Sequence, residues 1–186
     1  MTYSLLEVAQ AVLDAGQVEE ALDLLGQHLA AAPQDAEGLR LRAALLARLP
    51  GRDADALRDL AQIAAPLADD RRLAARLHHQ MGDRPAACAM LTALWEAEGD
   101  PRDAETLLRI LLDSGQAAEA LRLLESLPNI WTWDIWRGDA HAALGDAGAA
   151  RRFYRAALDA MPESALNQPL RAYLNDRLAT SATCPS

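Results

Sequence analysis

The sequence predicts an all-α chain, a stacked array of five helix pairs closed by one further helix. Three observations carry this. A unit recurs around Gly16, Gly51, Gly82, Gly115 and Gly145, which lie 35, 31, 33 and 30 residues apart. Five positions after each glycine stands an alanine, and nine positions after it a large packing residue: Ala21 and Leu25, Ala56 and Leu60, Ala87 and Leu91, Ala120 and Leu124, Ala150 and Tyr154. Self-similarity at this period, built from paired helices, marks a repeat array. Apolar residues make up 51% of the chain but aromatics only 4%, so alanine and leucine carry the packing and favour helix. Strand-forming runs of Val, Ile and Thr are missing.

The clearest copy runs from Arg137 to Pro162, with Gly145-Asp146 as its turn. Gly138, Ala150 and Ala157 sit where its two helices must touch, and small side chains there permit a close approach. Ala44, Ala75 and Leu108 stand at the position of Gly138 in the second, third and fourth copies.

Taken in order, the first pair has helices over about Tyr3–Ala15 and Val18–Ala31. Leu5, Val8 and Val12, then Ala21, Leu24, Leu25 and Leu29, form the amphipathic stripes. Asp35 caps the second pair, whose helices run to about Leu49 and from Asp53 to Ala65, broken at Pro50-Gly51 and stopped by Pro66. Asp69 or Asp70 opens the third, with Pro85 in the first turn of its second helix, where a missing N–H costs nothing. Gly99-Asp100-Pro101 leads into the leucine-rich fourth pair, which Pro128 cuts short. In the fifth pair Trp131 is expected to precede the first helix. Ala165 to Ala179 reads as one capping helix, with Leu166, Leu170, Leu174 and Leu178 on its stripe.

The recurring glycine–alanine unit, and the prolines that close the first and fifth copies at Pro33 and Pro162, resemble the tetratricopeptide repeat. The resemblance covers nearly the whole chain to about Pro162. It implies a right-handed superhelical solenoid with a concave groove lined by the first helix of each pair. The expected organisation is a single domain over 1–179, with repeats of about 2–35, 36–68, 69–100, 101–128 and 129–163. A capping helix at 165–179 and a disordered tail at 180–186 complete it.

All 18 basic residues are arginine, which excludes a Walker-type phosphate loop, Schiff-base chemistry and a serine–lysine dyad. The net charge of −9 works against nucleic acid, which calls for a basic surface, and against anionic membranes. Cys88 falls on the packed side of a helix and Cys184 in the polar tail. They form no disulfide framework, so a reducing compartment fits. The first twenty residues carry Glu7, Asp14, Glu19 and Glu20 and no basic residue, unlike a signal peptide. No apolar run reaches the ~18 residues of a membrane span. The expected location is cytoplasmic.

His28, His78, His79 and His141 have no zinc-ligand spacing, and GxSxG, GxGxxG and CxxC are absent. No catalytic set, metal site or cofactor is expected. The expected function is a protein–protein interaction scaffold. A repeat module of a larger enzyme or secretion assembly, and a self-assembling structural protein, are the alternatives.

Two features stand above the background. Trp131, Trp133 and Trp136 cluster in LPNIWTWDIW. They either pack against the shortened fourth pair or form an aromatic patch for a homodimer. The second feature is an arginine stripe. Arg72, Arg76 and His79 fall on one face of the third pair's first helix, and Arg102 and Arg109 share a face in the fourth. By the resemblance these line the groove and suit an acidic segment or C-terminal carboxylate, with Leu45 and Leu112 seating its side chains. The other reading is a solvated, salt-bridged face, since Glu105 is within helix spacing of both Arg102 and Arg109. The groove lysines and asparagines of chaperone-binding members are absent, so that specificity is not carried over.

Overall fold

The computed structural model describes residues 4–180, which hold eleven α-helices, one 3-10 turn and no strand. The tail from 181 onward, with Cys184, lies outside the described residues. The chain divides into two compact units between Asp103 and Ala104, within the seventh helix.

The first unit holds three helix pairs: α1 (Leu5–Asp14) with α2 (Val18–Ala31), α3 (Ala36–Leu46) with α4 (Asp53–Ala61), and α5 (Ala68–Gln80) with α6 (Arg84–Glu98). It ends on the first turn of α7 (Pro101–Asp113). Gly16, Gly51 and Gly82 turn the pairs at φ 82°, 74° and 84°. A Cβ is disfavoured in that left-handed region, which is why glycine anchors the repeat. Ala9, Ala21 and Leu25 form one core with Leu45 of α3. A second joins Leu29, Leu39, Ala43, Leu46, Ala56, Leu60, Ala74 and Leu77.

Several boundaries differ from expectation, each for a local reason. Ser4 caps α1: Glu7 N–H donates to its Oγ (3.1 Å) and Ser4 N–H to Glu7 Oε2 (2.7 Å), a capping box that starts the helix two residues late. Leu5 and Val8 are exposed rather than packed, and Leu6, Val12 and Leu13 turn to the core instead. α3 ends at Leu46 and α4 at Ala61, four residues before Ala65, where the backbone tightens into i→i−3 bonds from Arg48 and Leu49 and from Gln62 and Ile63. Ala44 is exposed and Ala43 takes the packed position. Leu67 rather than Asp69 or Asp70 precedes α5.

The second unit holds the rest of α7, then α8 (Ala117–Glu125), α9 (Trp131–Ala143), α10 (Ala147–Ala160), a 3-10 turn (Ala165–Asn167) and α11 (Gln168–Thr180). Gly138 lies so close to the buried ring of Tyr154 that a Cβ there would strike it. Ile135, Ala150, Tyr154, Ala157, Met161 and Leu174 form the core beneath α11. Trp131 is the first residue of α9 rather than preceding it. The expected capping helix is broken at its start: Ser164 Oγ accepts the Leu166 N–H (3.1 Å), and Leu166 is 91% exposed, off the stripe.

Every alanine and large residue of the five repeat anchors is buried. The periodic signal in the sequence is thus a packing signal.

Candidate functional site

From α3 onward in the first unit, successive first helices are joined by an ion pair that recurs with the repeat. Arg40 is the fifth residue of α3 and Asp70 the third of α5. Arg40 Nε donates to both Asp70 oxygens, at 3.0 and 2.8 Å. One repeat on, Arg72 is again the fifth residue of its helix and Asp103 the third of α7. Here the guanidinium forks, Nε to Oδ1 and Nη2 to Oδ2, both at 2.8 Å. Asp70 also accepts the Leu67 N–H (2.8 Å), so one carboxylate closes its own helix start and receives the preceding pair.

The arginines of the stripe differ in their surroundings. Besides Asp103, Arg72 donates to Asp69 (2.9 Å), Glu98 (3.1 Å) and Asp100 (3.2 Å). Hydrogen bonds to Asp103 and then Asp69 raise its pKa further above the ordinary arginine value. Arg102 is exposed and lies on Asp100, with Nη2 to Oδ2 at 2.7 Å. That contact, more than any other, holds the Asp100 carboxyl down at about 2. Arg76 is exposed and meets no hydrogen-bonding or ionic partner among the described residues. His79 is half-buried, and its Nδ1 is buried without a partner. Arg109 is exposed on α7, in the second unit. Leu45, expected to seat a ligand, is in the core, and Leu112 is half-buried.

The first-helix face opens instead between α1 and α3. A groove of about 810 Å³ is lined by Ser4, Leu6, Glu7, Gln10, Glu37, Arg40, Leu41 and Ala44. Leu6, Leu41 and Ala44 give apolar contact, and the rest supply polar groups. The capping-box spacing of Ser4 and Glu7 signalled the start of α1 but not this groove, whose other wall is on α3. Asp70 and Asp103 had no such signal, because their partners are 30 and 31 residues away.

In the second unit, none of the three tryptophans is exposed. Trp133 is buried, Trp131 and Trp136 are half-buried, and Trp131 packs on the core beneath α11. Arg137 is also buried. Its Nη2 donates to the Leu124 and Leu127 carbonyls (2.9 and 3.2 Å) and its Nη1 to Asp134 (2.7 Å). It thereby ties the turn that follows α8, in which the Leu127 N–H also donates to the Leu124 carbonyl (3.3 Å), to α9. α11 is fastened by Asp139, whose Oδ1 accepts both Tyr154 (2.8 Å) and Tyr173 (2.7 Å) hydroxyls. Burial, reinforced by the carboxylate, pushes both phenols upward.

Helix pairs repeated in sequence and joined by recurring contacts define a helical-repeat protein. The family model for a tetratricopeptide repeat-like domain matches residues 68–179, more than half of the chain. The chain belongs to the tetratricopeptide repeat family. No curated protein matches it. Among solved structures it is similar to MamA, with TM-score 0.71 and 16% identity over 83% of this chain and 88% of that one. It is similar to YrrB, a TPR protein with an unusual peptide-binding site, with TM-score 0.67 and 15% identity over 90% of each chain. The TPR-like repeats of a Podosopora anserina putative kinesin light chain give TM-score 0.61 and 19% identity over 84% and 92%. At these identities the likeness is one of fold. No helix among the described residues is long and apolar enough to cross a membrane.

Proposed function

We propose that this chain is a non-catalytic protein–protein interaction scaffold, acting in the cytoplasm, that seats a segment of a partner polypeptide on the first helices of pairs one and two. The groove between α1 and α3 carries the proposal. Its volume of about 810 Å³ falls in the range of ligand-binding clefts. Its half-buried leucines beside Gln10 and Glu37 suit a short stretch of chain that buries one or two side chains and hydrogen-bonds through its backbone. A photo-crosslinking residue at position 44, exposed in the groove, should capture a partner. One at position 96, exposed on α6, should not. Equal yields from the two positions, or no adduct from position 44, would remove the groove from consideration.

A second reading keeps an acidic segment or C-terminal carboxylate as ligand. It is favoured by Arg76, an exposed arginine whose planar guanidinium fork matches a carboxylate. With Arg72 committed to four carboxylates and Arg102 lying on Asp100, this reading rests on Arg76. Arg76→Glu should abolish such binding, and undiminished affinity would dismiss it. A homodimer through Trp131, Trp133 and Trp136 has less to recommend it, since none of those side chains is exposed.

A further inference from the structure

Along α1 and its C-cap, Leu5, Val8 and Ala15 lie at helical spacing with Val12, which is half-buried between this face and the core that Leu6, Ala9 and Leu13 enter. Leu5 is 39% and Val8 36% exposed. Ala11 and Ala15 are open to solvent. Val8, Ala11, Val12 and Ala15 line a shallow hollow of about 530 Å³ with Glu7 and Gln17. On α3, by contrast, Leu39, Leu45 and Leu46 are buried and Leu41 is half-buried.

The rim of this apolar strip is acidic. Glu7 lines it, Asp14 lies one helical step past Ala11, and Gln17 donates its Nε2–H to Glu20 at 2.9 Å. The first 39 residues hold seven Asp and Glu and no Lys or Arg, while the whole chain has a net charge of −9. Most of the surplus negative charge therefore belongs to the first pair and the start of the second. Two copies meeting through α1 would bring like charges together, and an anionic membrane would be repelled. A helix with an apolar seam and cationic flanks satisfies both the strip and its rim, as helix-in-groove recognition requires. We infer that the outward face of α1 is a docking site for a basic amphipathic helix of a partner protein, adjoining the groove between α1 and α3 at Glu7.

The test uses the full chain and labelled helical peptides of about five turns, read by fluorescence anisotropy. One peptide has a leucine seam with lysine flanks, one the same seam with glutamate flanks, and one a serine seam with lysine flanks. The first should bind, more weakly as salt rises, and the other two should bind at least ~10-fold less well, a difference of about 1.4 kcal/mol. Leu5→Gln with Val8→Gln should weaken the first peptide by a similar factor. Asp14→Lys with Glu20→Lys should weaken it too and admit the glutamate-flanked peptide. This second variant changes only exposed side chains, so it decides the matter if the first loosens α1. No binding, equal binding of the three peptides, or binding unaffected by the variants would overturn the inference. So would a parent that sediments as a dimer while Leu5→Gln with Val8→Gln is a monomer, because a second copy would then occupy the face.

Discussion

Gly138→Ala sets two effects of known size against each other. An alanine in mid-helix is favoured over glycine by roughly 0.5–1 kcal/mol through backbone entropy. On an open helix surface the substitution would therefore stabilise. At this site the new methyl runs into the edge of the Tyr154 ring. That ring cannot step aside cheaply: Tyr154 is completely buried, its hydroxyl is held by Asp139 at 2.8 Å, and Ala150 and Ala157 flank it on α10. Forcing a methyl into a filled core costs about 1–3 kcal/mol, so the collision outweighs the propensity gain. The expected net loss is about 0.5–2 kcal/mol, which at roughly 2–4 °C per kcal/mol for a chain of this size lowers Tm by several degrees. Thermal unfolding followed by circular dichroism measures it. The cause is isolated by a double-mutant cycle with Tyr154→Leu: once the ring is gone, Gly138→Ala should become neutral or stabilising. A Gly138→Ala protein that melts at or above the parent temperature would refute the close approach of α9 and α10.

Asp59→Ala should cost about 2–3 kcal/mol by urea unfolding. It strips the bidentate partner (both contacts 2.7 Å) from Arg42, and the half-exposed guanidinium can recover part of its hydration. Acid should act through Asp35, Asp55 and Asp100, whose folded pKa values all lie below 3.8. A depressed carboxyl pKa stabilises the fold above the unfolded value, and the contribution is lost as pH falls below it. Tm should therefore fall between about pH 4 and pH 2, and Asp100→Asn should flatten that slope. Alkali should act through Tyr154 and Tyr173, raised above 10.0 by burial. Their protons are held more tightly folded than unfolded, so stability should decline above pH 10. An ultraviolet titration should find these two phenols ionising late, and normal titration of both would contradict the Asp139 cluster.

The repeat was legible because its anchors are local: a turn glycine, a small alanine and a large residue lie within one helix hairpin. Ala87 and Leu91, or Ala120 and Leu124, needed only spacing to be placed in the core. Helix ends were less legible where a cap competed with periodicity. Ser4 and Glu7 fixed the start of α1, and Leu5 and Val8 were left outside though both are apolar. The arginines were the hardest to read. Arg72 and Arg76 are one helical turn apart and look equivalent in the sequence, yet one is spent on Asp103 and the other is open. What separates them is a carboxylate 31 residues on, and single-helix spacing carries no information about it.

The coupling of Arg40 to Asp70 and of Arg72 to Asp103 has a direction. The third pair holds both an acceptor facing backward, Asp70, and a donor facing forward, Arg72, so the joint runs head to tail. A duplicated copy of the third pair would arrive carrying both halves of the connector and could be spliced in without inventing a new contact. The run ends at α7, where the corresponding fifth residue is Glu105. A carboxylate there cannot pass the joint on, so growth of the array by duplication is open inside the first unit and closed at its far edge.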